Sequence, residues 1–115
     1  MKISISINEC IDNIEIANYI SKLIGCSIAT AKNQLKKGKL GVFYTTELFL
    51  NDYSDRAKEI LEIINYFNNL NIQLYIIEIA YNESWESVDL NNLDKYRIEE
   101  SVLKNTIMES IGQFK

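Results

Sequence analysis

The chain has 115 residues, of which 47% are hydrophobic and 24% are charged, and these proportions are those of one globular domain rather than of a disordered chain. Its formal net charge of −4 argues against nucleic acid as the main partner, because neutralising phosphates requires a basic surface. The sequence contains no histidine and no HExxH, GxSxG or GxxxxGK[ST] motif, so binding is favoured over catalysis.

Cysteine usage and the first residues bear on where the protein works. Cys10 and Cys26 form neither a CxxC pair nor a disulfide-dense framework, which favours a reducing compartment. Two distant cysteines without histidine cannot assemble an ordinary zinc site. Residues 1–10 alternate in polarity instead of forming an apolar run, so we expect neither a signal peptide nor a membrane span there. The expectation is a cytoplasmic protein with no cofactor, no metal and no membrane partner.

The first strand and the first helix follow from two different periods. Residues 2–7 place isoleucine at every second position, which is typical of a half-buried strand. Asp12 and Glu15 have the spacing of a capping box, which predicts a helix that starts there and ends at Gly25. The predicted core side of this helix consists of Ile16, Ala17, Ile20, Leu23 and Ile24.

A shorter helix and a second strand are predicted next. Ser27 can cap a helix over residues 28–37, whose last turn carries lysines before Gly38, where cations suit the negative helix end. The apolar side of this helix is Ile28, Ala31 and Leu35. Residues 40–50 are rich in aromatic and β-branched side chains, so they predict the second strand.

The third helix and third strand have the clearest patterns. Ser54 is placed to cap the helix, with Asp55 in its first turn. Its predicted core positions are Ala57, Ile60, Leu61, Ile64 and Phe67. Residues 72–80 are almost wholly apolar, which predicts a strand that is buried on both faces or lies at the centre of the sheet.

The remaining chain is predicted to form an acidic loop over residues 81–93 and a C-terminal helix over residues 94–113. The apolar stripe of that helix is Ile98, Val102, Leu103, Ile107 and Ile111, with Phe114 just beyond it. Such a stripe must cover either the open face of the sheet or a second copy of the chain. Intramolecular packing is the simpler expectation, and a homodimer is the alternative.

The predicted order is therefore β-α-α-β-α-β followed by a helix. Three strands with helices clustered on one face make an α+β two-layer sandwich. Because the sequence shows no repeat, low-complexity tract or linker, residues 1–115 are expected to form a single domain with its core in residues 2–80.

Two stretches carry a resemblance to a known family. Residues 20–32, ISKLIGCSIATAK, join an apolar helix end, a glycine, a capped turn and an Ala-Lys pair, and the later part matches through Asp55, Ala57 and Ile60. Through these residues, positions 2–80 resemble the C-terminal domain of the bacterial ribosomal stalk protein, which has the same element order. The resemblance implies a helical hairpin that docks a translation factor, with Lys22 and Lys32 as contact residues.

Charge is unevenly distributed along the chain. Residues 22–39 carry five lysines and no acid, whereas residues 80–100 carry six acids against Lys95 and Arg97. The simpler interpretation of the lysines is a solvated helix face. An acidic segment that also contains aromatic side chains is a pattern that attracts a basic partner and then holds it.

In size, acidity and lack of catalytic groups, the chain is similar to immunity proteins of bacterial toxin systems, although it shares no motif with them. The resemblance implies a one-to-one complex with a toxin domain, with a nuclease as the expected class, whose basic active-site region is covered by carboxylates. The predicted contacts are Tyr81, Glu83, Trp85, Glu86, Asp89, Asp94, Tyr96, Glu99 and Glu100. The alternative is that Trp85 packs as core beneath the loop while the acids face water.

Catalytic interpretations have weaker support. Glu83 and Glu86 could form a carboxylate pair, but their spacing is common in any acidic loop. Cys26 beside a helix N-terminus is a candidate reactive thiol, yet without a histidine base a structural cysteine is the simpler interpretation. We therefore expect a protein that is not an enzyme.

Overall fold

The computed structural model describes residues 1–48 and 53–113, the side chains at 53 and 110–113 excepted. The strands are β1 (Lys2–Ile7), β2 (Tyr44–Glu47) and β3 (Leu74–Ile79), and the α-helices are α1 (Ile14–Ile24), α2 (Ile28–Lys36), α3 (Tyr53–Asn69) and α4 (Glu100–Gln113). Short 3-10 helices lie at Gly38–Leu40, Trp85–Ser87 and Leu90–Tyr96. The predicted α+β class and element order are confirmed.

The strands form one antiparallel sheet in the order β2-β1-β3. The first strand is therefore the central one, and its Ile5 lies opposite Tyr44 on one side and Ile76 on the other. Directly opposed residues of antiparallel strands point to the same face, so this register aligns the isoleucines of β1 with apolar side chains of both neighbours.

The main core lies on the face of the sheet that receives Ile3, Ile5 and Ile7. All four α-helices pack on this face. Their buried contributions are Ile16, Ala17 and Ile20 from α1, Ala31 and Leu35 from α2, Ala57, Ile60, Ile63, Ile64 and Phe67 from α3, and Leu103 and Ile107 from α4. The helices thus make a single layer against the sheet, as the sequence predicts.

The second face of the sheet is covered by residues 81–96, which we name the cover layer. On this face β3 contributes Tyr75, Ile77 and Ile79, which are 1%, 4% and 3% exposed. The segment predicted as an acidic loop thus contains two 3-10 helices and packs on a small second core.

The helix termini in the hairpin of α1 and α2 are set by local hydrogen bonds. The side chain of Asn13 accepts bonds from the backbone N–H groups of Glu15 and Ile16, at 2.9 and 3.1 Å, and begins α1. The prediction of a capping box at Asp12 is therefore wrong by one residue. Gly25 ends α1 at φ 72°, a left-handed conformation that glycine adopts without a steric cost. Ser27 caps α2 as predicted.

The second strand is shorter than predicted. Leu40 lies in a 3-10 helix after Gly38, which has φ 62°, and β2 starts only at Tyr44. Gly41 passes so close to α2 that a Cβ there would lie 1.8 Å from the Gln34 carbonyl oxygen. This contact prevents residues 40–43 from extending the strand. Positions 49 and 50 of the predicted strand lie outside the described residues.

The predicted cap of the third helix is also displaced. The helix α3 already includes Tyr53, so Ser54 lies within its first turn. Of its predicted core positions, Leu61 is half-buried and the others are buried, and the fully buried Ile63 joins them. The buried face of α3 is therefore wider than predicted. The reason is that α3 packs against the sheet and also against α1 and α4.

The third strand is buried on both faces, which is the first of the two predicted arrangements, and it lies at the edge of the sheet. Leu74 and Ile76 join the main core, whereas Tyr75 and Ile77 join the second one. The chain returns along the outer edge of β3, where the Ile98 N–H donates to the Ile76 carbonyl at 3.0 Å. This return covers part of the edge that an outer strand leaves unpaired.

The last helix begins at Glu100, later than the predicted Asp94, because the residues before it belong to the cover layer and to the short return along the edge of β3. Leu103 and Ile107 are fully buried in the main core, whereas Val102 is 50% exposed and Ile98 precedes the helix. The side chain of Ile111 and residue Phe114 lie outside the described part. The helix thus packs on the helical side of the sheet through Leu103 and Ile107, and not on the open face.

The burial of α4 gives a direct test of its role. We expect Leu103→Ala to lower the free energy of unfolding by about 2–4 kcal/mol, because it leaves a cavity in the main core. The matched control is Met108→Ala in the same helix, where the side chain is 55% exposed and the loss should stay below about 1 kcal/mol. Urea unfolding measures both, and equal losses would contradict the packing of α4 described above.

Candidate functional site

Local hydrogen bonds shape the cover layer. The Ser84 hydroxyl accepts from the backbone N–H of Glu86 at 3.2 Å and begins the first 3-10 helix of the layer. The Asp89 carboxylate accepts from the Asn91 N–H at 3.0 Å and from Asn92 Nδ2 at 2.8 Å, and begins the second. Short polar side chains favour such caps, so the sequence itself turns the segment over the sheet.

Apolar side chains anchor the cover layer to the sheet. The half-buried anchors are Trp85, Val88, Leu93 and Tyr96, which pack on the second core. Lys2 Nζ also donates to the Glu83 carbonyl at 2.5 Å and ties the start of the layer to β1. Trp85, predicted as a contact residue, therefore packs against the protein itself, which agrees with the alternative interpretation of this side chain as core.

The predicted acidic side chains lie on the outside of this region. Those that are exposed are Glu83, Glu86, Asp89, Asp94 and Glu99, and Glu100 is half-buried at the start of α4. The Glu83 carboxylate accepts from the Ala80 N–H at 3.2 Å. Within residues 1–48 and 53–113, the side chains of Glu86 and Glu99 make no ion pair or hydrogen bond, so their charges face solvent.

The predicted aromatic contacts differ in exposure. Tyr81 is 73% exposed. Tyr96 is half-buried, and its hydroxyl accepts a hydrogen bond from the Asp89 N–H at 3.3 Å. Since Trp85 is an anchor, Tyr81 is the member of the three whose ring is available at the surface.

A cationic corner surrounds Tyr75 on the second face of the sheet. The Tyr75 hydroxyl donates to Asp94 Oδ1 at 2.6 Å. Lys39 Nζ lies 5.0 Å, and the Arg97 guanidinium 5.2 Å, from the centroid of the Tyr75 ring, within cation–π range. Asp94 is thus engaged within the protein, although the sequence places it among the contacts to a partner.

The corner shifts the pKa of both groups of its short hydrogen bond. Burial, and then the hydrogen bond to Asp94, raise the pKa of the Tyr75 hydroxyl to about 12. The hydrogen bond from Tyr75 lowers the pKa of Asp94, with Lys39 and Arg97 adding to the effect. Similarly, the bonds from Asn92 and Asn91 lower the pKa of Asp89. Both aspartates are therefore charged at neutral pH.

The backbone that carries Lys39 is held in place from two sides. The Ser6 hydroxyl donates to the Lys39 carbonyl at 2.9 Å. Gln34 Nε2 donates to the Val42 carbonyl at 2.8 Å, next to the close approach of Gly41 to α2. Lys39 thus extends from an ordered segment, which limits where its ammonium group can lie.

The two lysines of the hairpin have different surroundings. Lys22 is exposed in the last turn of α1, and Lys32 Nζ lies 3.8 Å from Asp12 Oδ1. At the tip between the helices, Ile24 is 39% and Ile28 is 40% exposed. The hairpin therefore presents apolar surface at its tip, with Lys22 within the same turn of α1 as Ile24.

Three residues of the cationic corner escape prediction from the sequence. Lys39 is one of five lysines in its stretch, and Tyr75 lies in an apolar run where every residue looks like core. Arg97 stands between acidic residues and resembles an ordinary surface charge. The bridge from Arg97 to Ile77 brings it beside β3, and such a long-range pairing leaves no mark in the local sequence pattern.

The described residues offer no metal-binding cluster and no membrane-spanning helix. No group of three or more acidic or cysteine side chains in the described ranges is placed to hold a metal ion. Cys10 is exposed and Cys26 half-buried, and both are free thiols. None of the helices as far as residue 113 is both long and apolar enough to cross a membrane.

Comparison with known proteins finds no counterpart for this arrangement. No family model, no curated protein and no solved structure matches the chain. The resemblances to the stalk protein domain and to immunity proteins therefore remain predictions.

The Tyr75–Asp94 pair predicts a specific pH dependence. Because the pKa of Tyr75 is raised above the ordinary value of about 10, its contribution to stability is complete below pH 10 and is lost as the pH rises towards about 12. Asp94→Asn should lower the pKa of Tyr75, since it removes the neighbouring negative charge. NMR titration of the Tyr75 ring carbon that bears the hydroxyl measures this value.

The control for this titration is Glu86→Gln, which removes one charge from the same layer without touching Tyr75. It should leave the Tyr75 pKa unchanged. If Asp94→Asn also left it unchanged, the hydrogen bond between Tyr75 and Asp94 would not persist in solution.

Proposed function

We propose that this protein is an inhibitor of the immunity-protein type, which binds a basic toxin domain through the acidic surface that begins in the cover layer. The observation that carries the proposal is the combination of exposed carboxylates with an anchored backbone. Glu83 and Glu86 stand on a segment fixed to the sheet by Trp85, and Glu99 follows directly after the return along β3. Charges on an ordered backbone lose less conformational entropy on binding than charges on a free loop.

Fewer side chains are accessible to a partner than the sequence predicts as contacts. Asp94 and Tyr96 are engaged in hydrogen bonds within the protein, and Trp85 packs on the second core. Asp89 likewise accepts hydrogen bonds from Asn91 and Asn92. The exposed side chains that remain are Tyr81, Glu86 and Glu99, together with Glu83, whose carboxylate accepts one bond from the Ala80 N–H. In this arrangement the acids attract the partner and Tyr81, 73% exposed, is the aromatic side chain that can become buried at the interface.

The chemistry of the partner follows from the charge of this surface. A toxin that cleaves nucleic acid needs cations to hold phosphates, so its active-site region attracts carboxylates. The acidic surface would cover that region and exclude the substrate. Electrostatic attraction of this kind accelerates association and weakens as salt screens it.

The test uses charge reversal at two sites of the acidic surface. We expect Glu86→Lys combined with Glu99→Lys to slow association with the toxin domain by roughly tenfold or more at low salt, because both carboxylates face solvent. The matched control is Glu62→Lys combined with Glu109→Lys, which changes the net charge equally at exposed positions on α3 and α4. Tagged versions of the three proteins are used to capture partners from the source lysate.

Stoichiometric inhibition decides between outcomes. A captured basic domain that loses its nuclease activity at one equivalent of the wild type and of the control variant, but not of the Glu86/Glu99 variant, supports the proposal. Capture that is equally strong for all three proteins, or the absence of inhibition, overturns it. Tyr81→Ala should further weaken the complex, whereas it should not affect folding, because its ring is mostly exposed.

The hairpin of α1 and α2 carries the second candidate function, docking of a translation factor. The favouring observation is the exposed pair Ile24 and Ile28 at a tip that is rigidly turned by Gly25 and capped by Ser27. In this case a translational GTPase should be retained from the lysate. Its capture should be lost on changing Lys22 and Lys32 to glutamate and should survive the Glu86/Glu99 reversal.

A further inference from the structure

An apolar slot of about 280 Å³ opens between the cover layer and the part of the sheet formed by β1 and β2. Its walls are side chains from both sides: Val42, Ile77, Trp85, Val88 and Leu93, with Lys39 at one end. The volume is close to the lower end of the roughly 300–1,000 Å³ that is typical of small-molecule sites. A small organic molecule, rather than a peptide, matches this space.

The slot exists because β1 places serines on this face of the sheet. Ser4 lies opposite Thr45 on one side and Ile77 on the other, and it lines the slot. A serine side chain is too short to reach the cover layer, so the anchors of the layer close over β3 and leave the space above β1 open. Ser4 is 3% exposed, and its hydroxyl has no hydrogen-bond partner among the described residues.

Next to the slot lies a polar recess of about 380 Å³ that shares Lys39, Leu90 and Leu93 with it. Lys95 and the side chains of residues 91–92 line this recess. Its one carboxylate is Asp94, which already accepts the Tyr75 hydroxyl bond. Lys39 therefore stands where the apolar and the polar spaces meet, with a second cation nearby.

We propose that this slot is a binding site for a small amphipathic carboxylate, whose apolar body fills the slot and whose carboxylate pairs with Lys39. The site goes beyond the partner-binding surface proposed above and involves none of its exposed acids. The body of the ligand buries the free walls formed by Trp85 and Val88. The carboxylate group gives Lys39 an ionic partner, and the Ser4 hydroxyl remains available inside the slot for a polar substituent.

The positive charges of Lys39 and Lys95 beside the slot discriminate between classes of ligand. An organic cation of the same shape would meet Lys39 and Lys95 and be repelled, although Asp94 offsets part of their charge. A neutral molecule would gain the apolar contacts but no charge-assisted hydrogen bond. An anion with an apolar body is the class that satisfies both parts of the site.

The protein carries its own reporter for this site, because Trp85 is the only tryptophan and lines the slot. Octanoate serves as the probe, followed both by Trp85 fluorescence and by titration calorimetry. We expect saturable binding of octanoate at one site, with weaker binding of 1-octanol and none of octylammonium, which have the same chain length. Absence of any heat and fluorescence change up to about 5 mM octanoate would overturn the proposal.

Variants of Lys39 separate a built site from nonspecific adsorption. Lys39→Gln should weaken octanoate binding by roughly tenfold, whereas Lys39→Arg should retain it, because the charge is kept. Lys36→Gln is the matched control, since this exposed lysine lies on α2 and does not line the slot. Equal affinity of the Lys39→Gln variant and the control would show that the carboxylate is not held by Lys39 and would overturn the proposal.

Lys39 is exposed, so its variants should remain folded, and circular dichroism checks this. A change in octanoate binding leaves the toxin experiment unaffected, because the Glu86/Glu99 variant retains the whole slot. Failure of either proposal is thus distinguishable from failure of the other.

Discussion

The second face of the sheet is apolar along β3 and lined by serine hydroxyls along β1. The position of the cover layer and the slot beside it both depend on this difference. On that face β3 contributes Tyr75, Ile77 and Ile79, whereas β1 contributes Ser4 and Ser6. Exposed apolar side chains on β3 would cost free energy in water, so the chain after β3 folds back over them. The serines of β1 need no such cover. The layer is therefore held at β3, and a space stays open beside it.

The apolar side chains of β3 also explain how an acidic segment becomes ordered. Repulsion among its carboxylates opposes a compact arrangement, and the segment has no long helix or strand of its own. The anchors Trp85 and Leu93 oppose that repulsion by packing on the sheet, and Asp89 uses its charge to accept backbone and side-chain hydrogen bonds. Asp94 does the same towards Tyr75, with Lys39 and Arg97 on the adjacent ring. Acids that accept hydrogen bonds in this way stabilise the layer, and those that accept none remain available to a partner.

The sequence predicts the fold class because helical and strand periods alternate clearly through residues 2–80. The buried apolar side chains of β1 and most of those of α3 lie at the expected spacings, although Ser4 and Ser6 of β1 are buried as well. It predicts the cover layer poorly for a physical reason. A 3-10 turn is too short to show a period, and Trp85, Val88, Leu93 and Tyr96 are spaced irregularly. Ser84 and Asp89, which are typical N-cap residues, are the local sequence features that indicate these two 3-10 helices. The acidic surface was visible as composition, whereas the corner at Tyr75 depends on long-range pairing that composition cannot show.

The central position of β1 has a consequence for how the chain folds. Its Ile5 pairs with Tyr44 and with Ile76, about forty and about seventy residues further along the chain, so neither pairing is local. Because loop-closure entropy grows only logarithmically with length, the two pairings differ by less than about 1 kcal/mol in this cost. The folding rate is affected more than this free energy, because domains dominated by such distant contacts fold more slowly than helical bundles. The contacts between α1 and α2 are local in sequence, whereas the pairing of β1 with β3, and with it the cover layer, requires contacts between distant parts of the chain.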